Sequence, residues 1–174
     1  MRLMDDTFLS AAFKNNYKCT ELVLKIVTEK SDLKVIKVEV QNELKNLRGH
    51  SVRLDVYAED SSGKKYDIEV QRASDGATPK RARYYSSLID SSILDKNEKY
   101  DTLAETYVIF ITENDVLGKG LPLYHIDRMV KESGDLFNDE AHIIYVNGAY
   151  RDESPIGLLM HDFSCNDPSK MNYK

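Results

Sequence analysis

The sequence has few of the features that mark secreted, membrane-bound or multi-domain proteins. Two cysteines among 174 residues, Cys19 and Cys165, are too few for a disulfide scaffold. No apolar run approaches the roughly 18 residues that a membrane span needs, and the first residues lack the apolar stretch of a secretory signal. No Pro- or Gly-rich linker divides the chain. We therefore expect a cytoplasmic protein with free thiols and a single domain over residues 1–174.

Several common catalytic motifs are also absent. The four histidines lack the spacing of zinc ligands, and there is neither a glycine-rich phosphate loop nor a nucleophile elbow. The net charge of −5 weighs against a DNA-coating role, because non-specific binding to DNA depends on clustered Lys and Arg. It is compatible with an enzyme that binds phosphates through metal ions, which carboxylates would hold.

The remaining composition and patterning indicate a mixed α/β fold. The chain is 41% hydrophobic and 30% charged, which is ordinary for a globular domain. Apolar spacing and capping residues predict helices over residues 6–14, 19–29, 79–95 and 157–163. Strands are predicted over residues 33–40, 52–59, 65–71, 107–112, 123–130 and 142–146. The order hairpin, helix, buried strand predicts a crossover that returns beside the hairpin.

The hairpin over residues 52–71 carries the clearest chemical signal. Its even-numbered positions are apolar, so Asp55, Glu69 and Gln71 share the opposite, polar face. Pairing across the turn would place Asp55 near Glu69, and two such carboxylates can bind one hard cation such as Mg²⁺. The alternative is an ordinary solvated hairpin face, on which carboxylates are common.

Two stretches of this hairpin, residues 49–56 and 66–72, resemble the PD-(D/E)XK nuclease superfamily. More closely, they resemble its recombination-promoting nuclease and putative transposase family. The resemblance continues in order through residues 80–87, 107–113, 142–148 and 161–163, and so covers nearly the whole chain. It implies a restriction-endonuclease-like core of helix, three strands, helix and strand, within a mixed central sheet flanked by helices.

The same resemblance implies a Mg²⁺-dependent DNA endonuclease associated with recombination or transposition, with Mn²⁺ as a possible substitute. Asp55 matches the metal-binding aspartate, Glu69 the second acid, and Gln71 the position where the superfamily carries Lys. Neutral Gln can orient the attacking water but cannot help to acidify it. An acid on the first helix often completes the site, and Asp6 is the candidate, with Asp5 as its rival. Members of the family usually continue into a further helical region, so we expect a short or C-terminally truncated member.

Four basic residues are candidates for binding DNA phosphates: Lys80, Arg81, Arg83 and Arg53. The first three stand at a helix start, where the helix dipole also favours anions. A solvated helix end, and an ion pair from Arg53 to Asp67 or Glu69, are the competing explanations. At the level of function, two alternatives remain. One is a catalytically degenerate nuclease fold that binds DNA or protein. The other is a plain interaction module, for example a homo-oligomer that uses the strands within residues 123–146 as an edge.

Overall fold

The computed structural model describes residues 2–45 and 49–173, except for the side chain of Asp6. Within these residues, a six-stranded sheet carries helices on both faces. The helices are α1 (Asp6–Phe13), α2 (Tyr17–Thr28), α3 (Pro79–Ile93) and α4 (Pro155–Ser164). The strands are β1 (Val35–Leu44), β2 (Val52–Asp60), β3 (Lys65–Gln71), β4 (Thr106–Thr112), β5 (Leu123–Ile126) and β6 (Ala141–Asn147).

The sheet is mixed, with strand order β1-β2-β3-β4-β6-β5. The first three strands form an antiparallel meander, whereas β3, β4 and β6 run parallel. β5 pairs antiparallel with β6 at one edge. Helix α3 is the crossover that returns β4 beside β3, as predicted. The chain order α2, β1–β3, α3, β4 confirms the expected core of helix, three strands, helix and strand.

Two hydrophobic layers cover the sheet. On one face, α1, α2 and α4 form the three-helix layer through residues such as Leu9, Leu24 and Phe163. On the other face, α3 forms the α3 layer through residues such as Tyr85 and Ile89. An interior strand must therefore be apolar on both sides, which accounts for a continuous apolar run rather than an alternating one.

Strand β4 shows this arrangement most clearly, because all seven of its residues are buried. Tyr107, Ile109 and Ile111 pack in the three-helix layer, whereas Val108 and Phe110 pack in the α3 layer. The continuous run over residues 107–112 is thus confirmed as a strand buried on both faces.

Local signals set the helix boundaries. The side chain of Thr78 caps α3 by accepting a hydrogen bond from the Arg81 amide at 3.3 Å, and Pro79 is the first helical residue. Ser154 caps α4 in the same way. None of the helices in the described part of the chain is long and apolar enough to cross a membrane.

The prediction of one polar, outward face for the hairpin is wrong. Asp67 and Glu69 are buried, and Tyr57 packs in the α3 layer. The even-numbered positions also divide, since Leu54 packs in the α3 layer and Val56 in the three-helix layer. The reason is tertiary. β3 lies inside the sheet, and the crossover helix α3 packs against the face on which the alternation placed the polar residues.

The predicted strand over residues 123–130 is also too long. β5 ends at Ile126, and residues 127–140 form an excursion that we call the arm. Its two sides are joined by a bridge between Met129 and Leu136. The chain then re-enters the sheet as β6.

Candidate active site

Strands β2 and β3 part where the two predicted acids stand. Their pairing runs from Glu59 opposite Lys65 to Val56 opposite Ile68 and stops there. Beyond that point, the amide of Asp55 donates to Oε1 of Glu69 at 2.9 Å. The amide of Val70 donates to Oδ2 of Asp55 at 3.1 Å. Each acid thus accepts a hydrogen bond from a backbone amide of the other strand, and the two acids are held side by side.

The parted strands open into a cleft of about 670 Å³. Five of the predicted site residues line it: Asp55, Glu69, Gln71, Arg53 and Arg81. The start of α3 forms one wall, through Arg81 and Tyr85, and the end of β3 forms another. The cleft therefore combines acidic, amide and guanidinium groups within one concave surface, as binding sites usually do.

Glu69 lies at the buried end of the acidic pair, with 1% of its surface exposed. Burial raises its pKa from 4.5 to about 8, and the adjacent charge of Asp55 acts in the same direction. The guanidinium of Arg81 counteracts this rise, but its Nη2 stands 3.7 Å from Oε2 of Glu69. Burial and the charge of Asp55 therefore raise the pKa of Glu69 by more than Arg81 lowers it.

Asp67 adds a third acid on the same face of β3. It is fully buried, and in its protonated form it can donate a hydrogen bond to the carboxylate of Glu69. Burial raises the pKa of Asp67 well above its ordinary value, and the charges of Glu69 and Asp55 reinforce the rise. Burial beside two further acids therefore favours the protonated form of Asp67.

The donor set of the cleft suits a hard divalent cation. Asp55 and Glu69 offer carboxylate oxygens, which Mg²⁺ prefers, and a bound cation would offset the charge that raises the pKa of Glu69. Among the described side chains, no group of three His, Cys, Asp or Glu residues is arranged to hold a metal. The described part of such a site is therefore a pair of carboxylates.

Gln71 occupies the last position of β3 and lines the cleft. Its side chain lies over Gly76, in the 3₁₀ turn Ser74–Ala77 that links β3 to α3. A Cβ at position 76 would stand 2.1 Å from Oε1 of Gln71 and 3.5 Å from Nη1 of Arg81. The glycine therefore leaves room for the Gln71 amide beside Arg81.

The structure separates the predicted DNA-binding residues. Arg81 and Arg53 line the cleft, whereas Lys80 and Arg83 are exposed outside its lining. Arg81 is anchored by two hydrogen bonds to the Tyr85 hydroxyl, the shorter at 2.7 Å. The ion pair with Glu69 that was considered for Arg53 is made by Arg81.

Arg72 is a cleft residue that the sequence analysis did not select. Its guanidinium lies 3.4 Å from Oε2 of Glu113 and 3.5 Å from Oδ1 of Asp5. Oε1 of Glu113 in turn forms an ion pair with Nη1 of Arg2 at 2.8 Å. The position of Arg72 directly after Gln71 could have identified it from the sequence as a residue of the cleft. Its two acidic partners are remote in sequence and could not be inferred.

These contacts also bear on the acid of the first helix. Asp5 stands at the start of α1, accepts a hydrogen bond from the Arg2 amide at 2.9 Å and contacts Arg72 at the cleft. The start of α1 therefore lies at the cleft rim. The side chain of Asp6 falls outside the described part of the chain, so its assignment as a metal ligand stays a prediction.

Comparison with known proteins identifies the family. The family model described as PD-(D/E)XK nuclease family transposase matches residues 21–149. No match was found among curated proteins or among solved structures. The matched span holds all six strands and α3, and with them every residue that lines the cleft. The chain thus has the restriction-endonuclease-like fold and belongs to the PD-(D/E)XK nuclease family transposases.

Proposed function

We propose that this protein is a divalent-metal-dependent DNA endonuclease that acts in recombination or transposition. The observation that carries the proposal is the pair of carboxylates, Asp55 and Glu69, joined where β2 and β3 part. In this proposal both bind Mg²⁺, for which Mn²⁺ can substitute. Family membership supports a nuclease-type chemistry, and a bound cation would favour the ionised form of Glu69, whose pKa burial and Asp55 raise.

Each part of the site would have its own role in hydrolysis. When bound, the metal ion lowers the pKa of a coordinated water and stabilises negative charge on the phosphate. The amide of Gln71 orients the attacking water by hydrogen bonding, since a neutral amide does not remove its proton. The hydrogen bonds from the Asp55 and Val70 amides fix the two carboxylates before substrate arrives.

The cleft also supplies cations for the DNA backbone. Arg81, Arg53 and Arg72 line it and would contact the phosphates on either side of the scissile bond. Guanidinium groups suit this role because they match phosphate oxygens in a bidentate manner. Lys80 and Arg83 are exposed beyond the cleft and would bind more distant phosphates.

The direct test is incubation of the purified protein with supercoiled plasmid in Mg²⁺, in Mn²⁺ and in EDTA. We expect nicking in either metal and none in EDTA. Calorimetric titration of Mg²⁺ without DNA separates this function from a catalytically degenerate binding module. Absence of both nicking and Mg²⁺ binding would reject the enzyme and favour the binding module.

The role proposed for Gln71 makes a separate prediction about Gly76. We expect Gly76→Ala to lower the rate of plasmid nicking by about 10- to 100-fold, because the new Cβ displaces the Gln71 amide. The melting temperature should change little, since the displaced group is the end of a flexible side chain. Ser74→Ala, in the same turn, is the matched control and should cleave at the wild-type rate.

A double variant distinguishes displacement of Gln71 from general damage. Gln71→Ala removes the group with which the new Cβ collides. Adding Gly76→Ala to this variant should therefore not lower the nicking rate any further. If the two effects multiply instead, Gly76 does not act through Gln71, and the proposed positioning is wrong.

A further inference from the structure

One guanidinium of the cleft is fixed in orientation by the helix that carries it. Arg81 and Tyr85 are four residues apart on α3, so their side chains lie on one face of the helix. Nε and Nη2 of Arg81 both donate to the hydroxyl of Tyr85, at 3.1 and 2.7 Å. Cζ of Arg81 also lies 5.0 Å from the centroid of the Tyr85 ring. The tyrosine therefore restrains the guanidinium through both its hydroxyl and its ring.

Tyr85 is itself held by the core of the protein. It is 5% exposed, and its ring packs against Phe110 of β4 with the two centroids 6.1 Å apart. Because β4 is buried on both faces, this support is rigid. The side chain of Arg81 is 35% exposed, and a long side chain at such a position would otherwise sample several rotamers. Tyr85 therefore gives Arg81 an order that its own surroundings do not provide.

The second edge of the guanidinium faces the two groups proposed for metal binding and water orientation. Because Tyr85 contacts Nε and one hydrogen of Nη2, the edge formed by Nη1 and Nη2 remains for a ligand. At one end of this edge, Nη2 stands 3.7 Å from Oε2 of Glu69. At the other end, a Cβ at Gly76 would stand 3.5 Å from Nη1 and 2.1 Å from Oε1 of Gln71. We call the pair of Nη1 and Nη2 the open edge of Arg81.

We propose that Tyr85 positions Arg81 so that the open edge binds the phosphate that is cleaved. This inference rests on the proposed function, which places the reaction beside Glu69 and Gln71. The two non-bridging oxygens of a phosphodiester match the paired N–H groups of a guanidinium in a bidentate contact. Arg81 would then stabilise the negative charge that develops on the phosphate during hydrolysis. Tyr85 does not touch the substrate and acts through Arg81, as a positioning residue.

Two other arginines of the cleft are placed differently. Arg72 is turned towards Glu113 and Asp5, and its side chain is 58% exposed. Arg53 lines the cleft from an exposed position on β2. Both are therefore suited to the flanking backbone, where they would contribute to binding DNA. Arg81 differs from them because its open edge borders Glu69, so we expect it to contribute to the rate of cleavage.

Tyr85→Phe tests the positioning, because it removes the hydroxyl but keeps the ring beside Arg81 and against Phe110. In single-turnover nicking of supercoiled plasmid with Mg²⁺, we expect the maximal rate to fall by about 10-fold. Arg81→Ala should lower the maximal rate by about 100-fold. Arg72→Ala should mainly raise the protein concentration that gives half of the maximal rate. The melting temperature of Tyr85→Phe should change little, since the partly exposed guanidinium can bind water instead.

A double variant shows whether Tyr85 acts through Arg81. Arg81→Ala removes the group that Tyr85 positions, so adding Tyr85→Phe to it should not lower the maximal rate any further. Tyr84→Phe is the matched control, because it removes a hydroxyl from the same helix that donates to the carbonyl of His50 at 2.6 Å. It should nick plasmid within about twofold of the wild-type rate.

DNA binding in EDTA separates this inference from the nuclease proposal, because it does not depend on cleavage. Fluorescence anisotropy of a labelled duplex oligonucleotide measures the affinity at several NaCl concentrations. Arg81→Ala should weaken binding and lower the slope of log K against log[NaCl] by about one, since one phosphate contact is lost. Tyr85→Phe should weaken binding by about threefold with the slope unchanged, because the charge of Arg81 remains.

The two proposals can therefore fail separately. A wild type that does not nick plasmid, but whose DNA binding responds to Tyr85→Phe only while Arg81 is present, would reject the nuclease and retain the phosphate site. A Tyr85→Phe protein that nicks plasmid and binds DNA like the wild type would overturn the positioning. Losses that multiply in the double variant would overturn it as well.

Discussion

Replacing Asp55 with asparagine is expected to lower metal-dependent DNA cleavage by about 10³-fold or more, because it removes one of two carboxylates proposed to hold the cation. Losing several kcal/mol of electrostatic stabilisation in the transition state corresponds to a factor of this size. The substitution keeps the shape of the side chain. Asparagine Oδ1 can still accept the hydrogen bond that the Val70 amide gives to Asp55, so the parted strands should stay in place.

The measurement is single-turnover nicking of supercoiled plasmid, together with calorimetric Mg²⁺ binding and thermal unfolding. Asp75→Asn is the matched control, because Asp75 is an exposed acid of the turn before α3 that does not line the cleft. It should retain activity and Mg²⁺ binding. If Asp55→Asn cleaves at the wild-type rate while remaining folded, the active centre is not at the parted strands.

Local patterns in the sequence were enough to predict most of the fold. The continuous apolar run over residues 107–112 identified β4, because a strand covered on both faces needs such a run. Thr78 and Pro79 marked the start of α3 by their capping chemistry. Alternation along the hairpin brought Asp55 and Glu69 onto one face, and the structure places them in hydrogen-bond contact through the Asp55 amide.

The environment of that pair could not be predicted, because it depends on elements that are remote in sequence. Alternation cannot show that α3 will cover the polar face of the hairpin and bury Asp67 and Glu69. Nor does it show that the pairing ends at Val56 and Ile68, so that the strands part at Asp55, since a regular ladder has the same pattern. The contacts of Arg72 with Asp5 and Glu113 join three segments that only the folded chain brings together.

Gly76 is a single residue whose role likewise could not be predicted from the sequence. In the sequence it is one glycine in a polar connection between a strand and a helix. Its importance follows from the side chain of Gln71, which lies where a Cβ would stand. A turn signal predicts the presence of glycine but not which neighbouring side chain occupies the space.

Burial of Glu69 has a consequence for stability that is measurable without DNA. A carboxyl whose pKa is raised from 4.5 to about 8 by folding contributes stability that is fully present below pH 4.5. That contribution is lost as the pH rises from 4.5 through about 8, because over this range the unfolded chain releases the proton while the folded protein keeps it. In EDTA, we therefore expect Glu69→Gln to be more stable than the wild type at pH 9, by on the order of 3 kcal/mol. At pH 5 the two proteins should differ little.

Urea unfolding in EDTA at pH 5 and pH 9 measures this difference, with Asp75→Asn as the exposed control that should follow the wild type at both values. Added Mg²⁺ should then stabilise the wild type at pH 9 but not Glu69→Gln, since the cation binds the ionised acid. Glutamine keeps an oxygen that can accept the hydrogen bond from the Asp55 amide, so the comparison isolates charge from shape. A Glu69→Gln protein that is less stable than the wild type at pH 9 in EDTA would mean that Arg81 already compensates the charge of Glu69. The raised pKa of Glu69 would then no longer support a metal ion in the cleft.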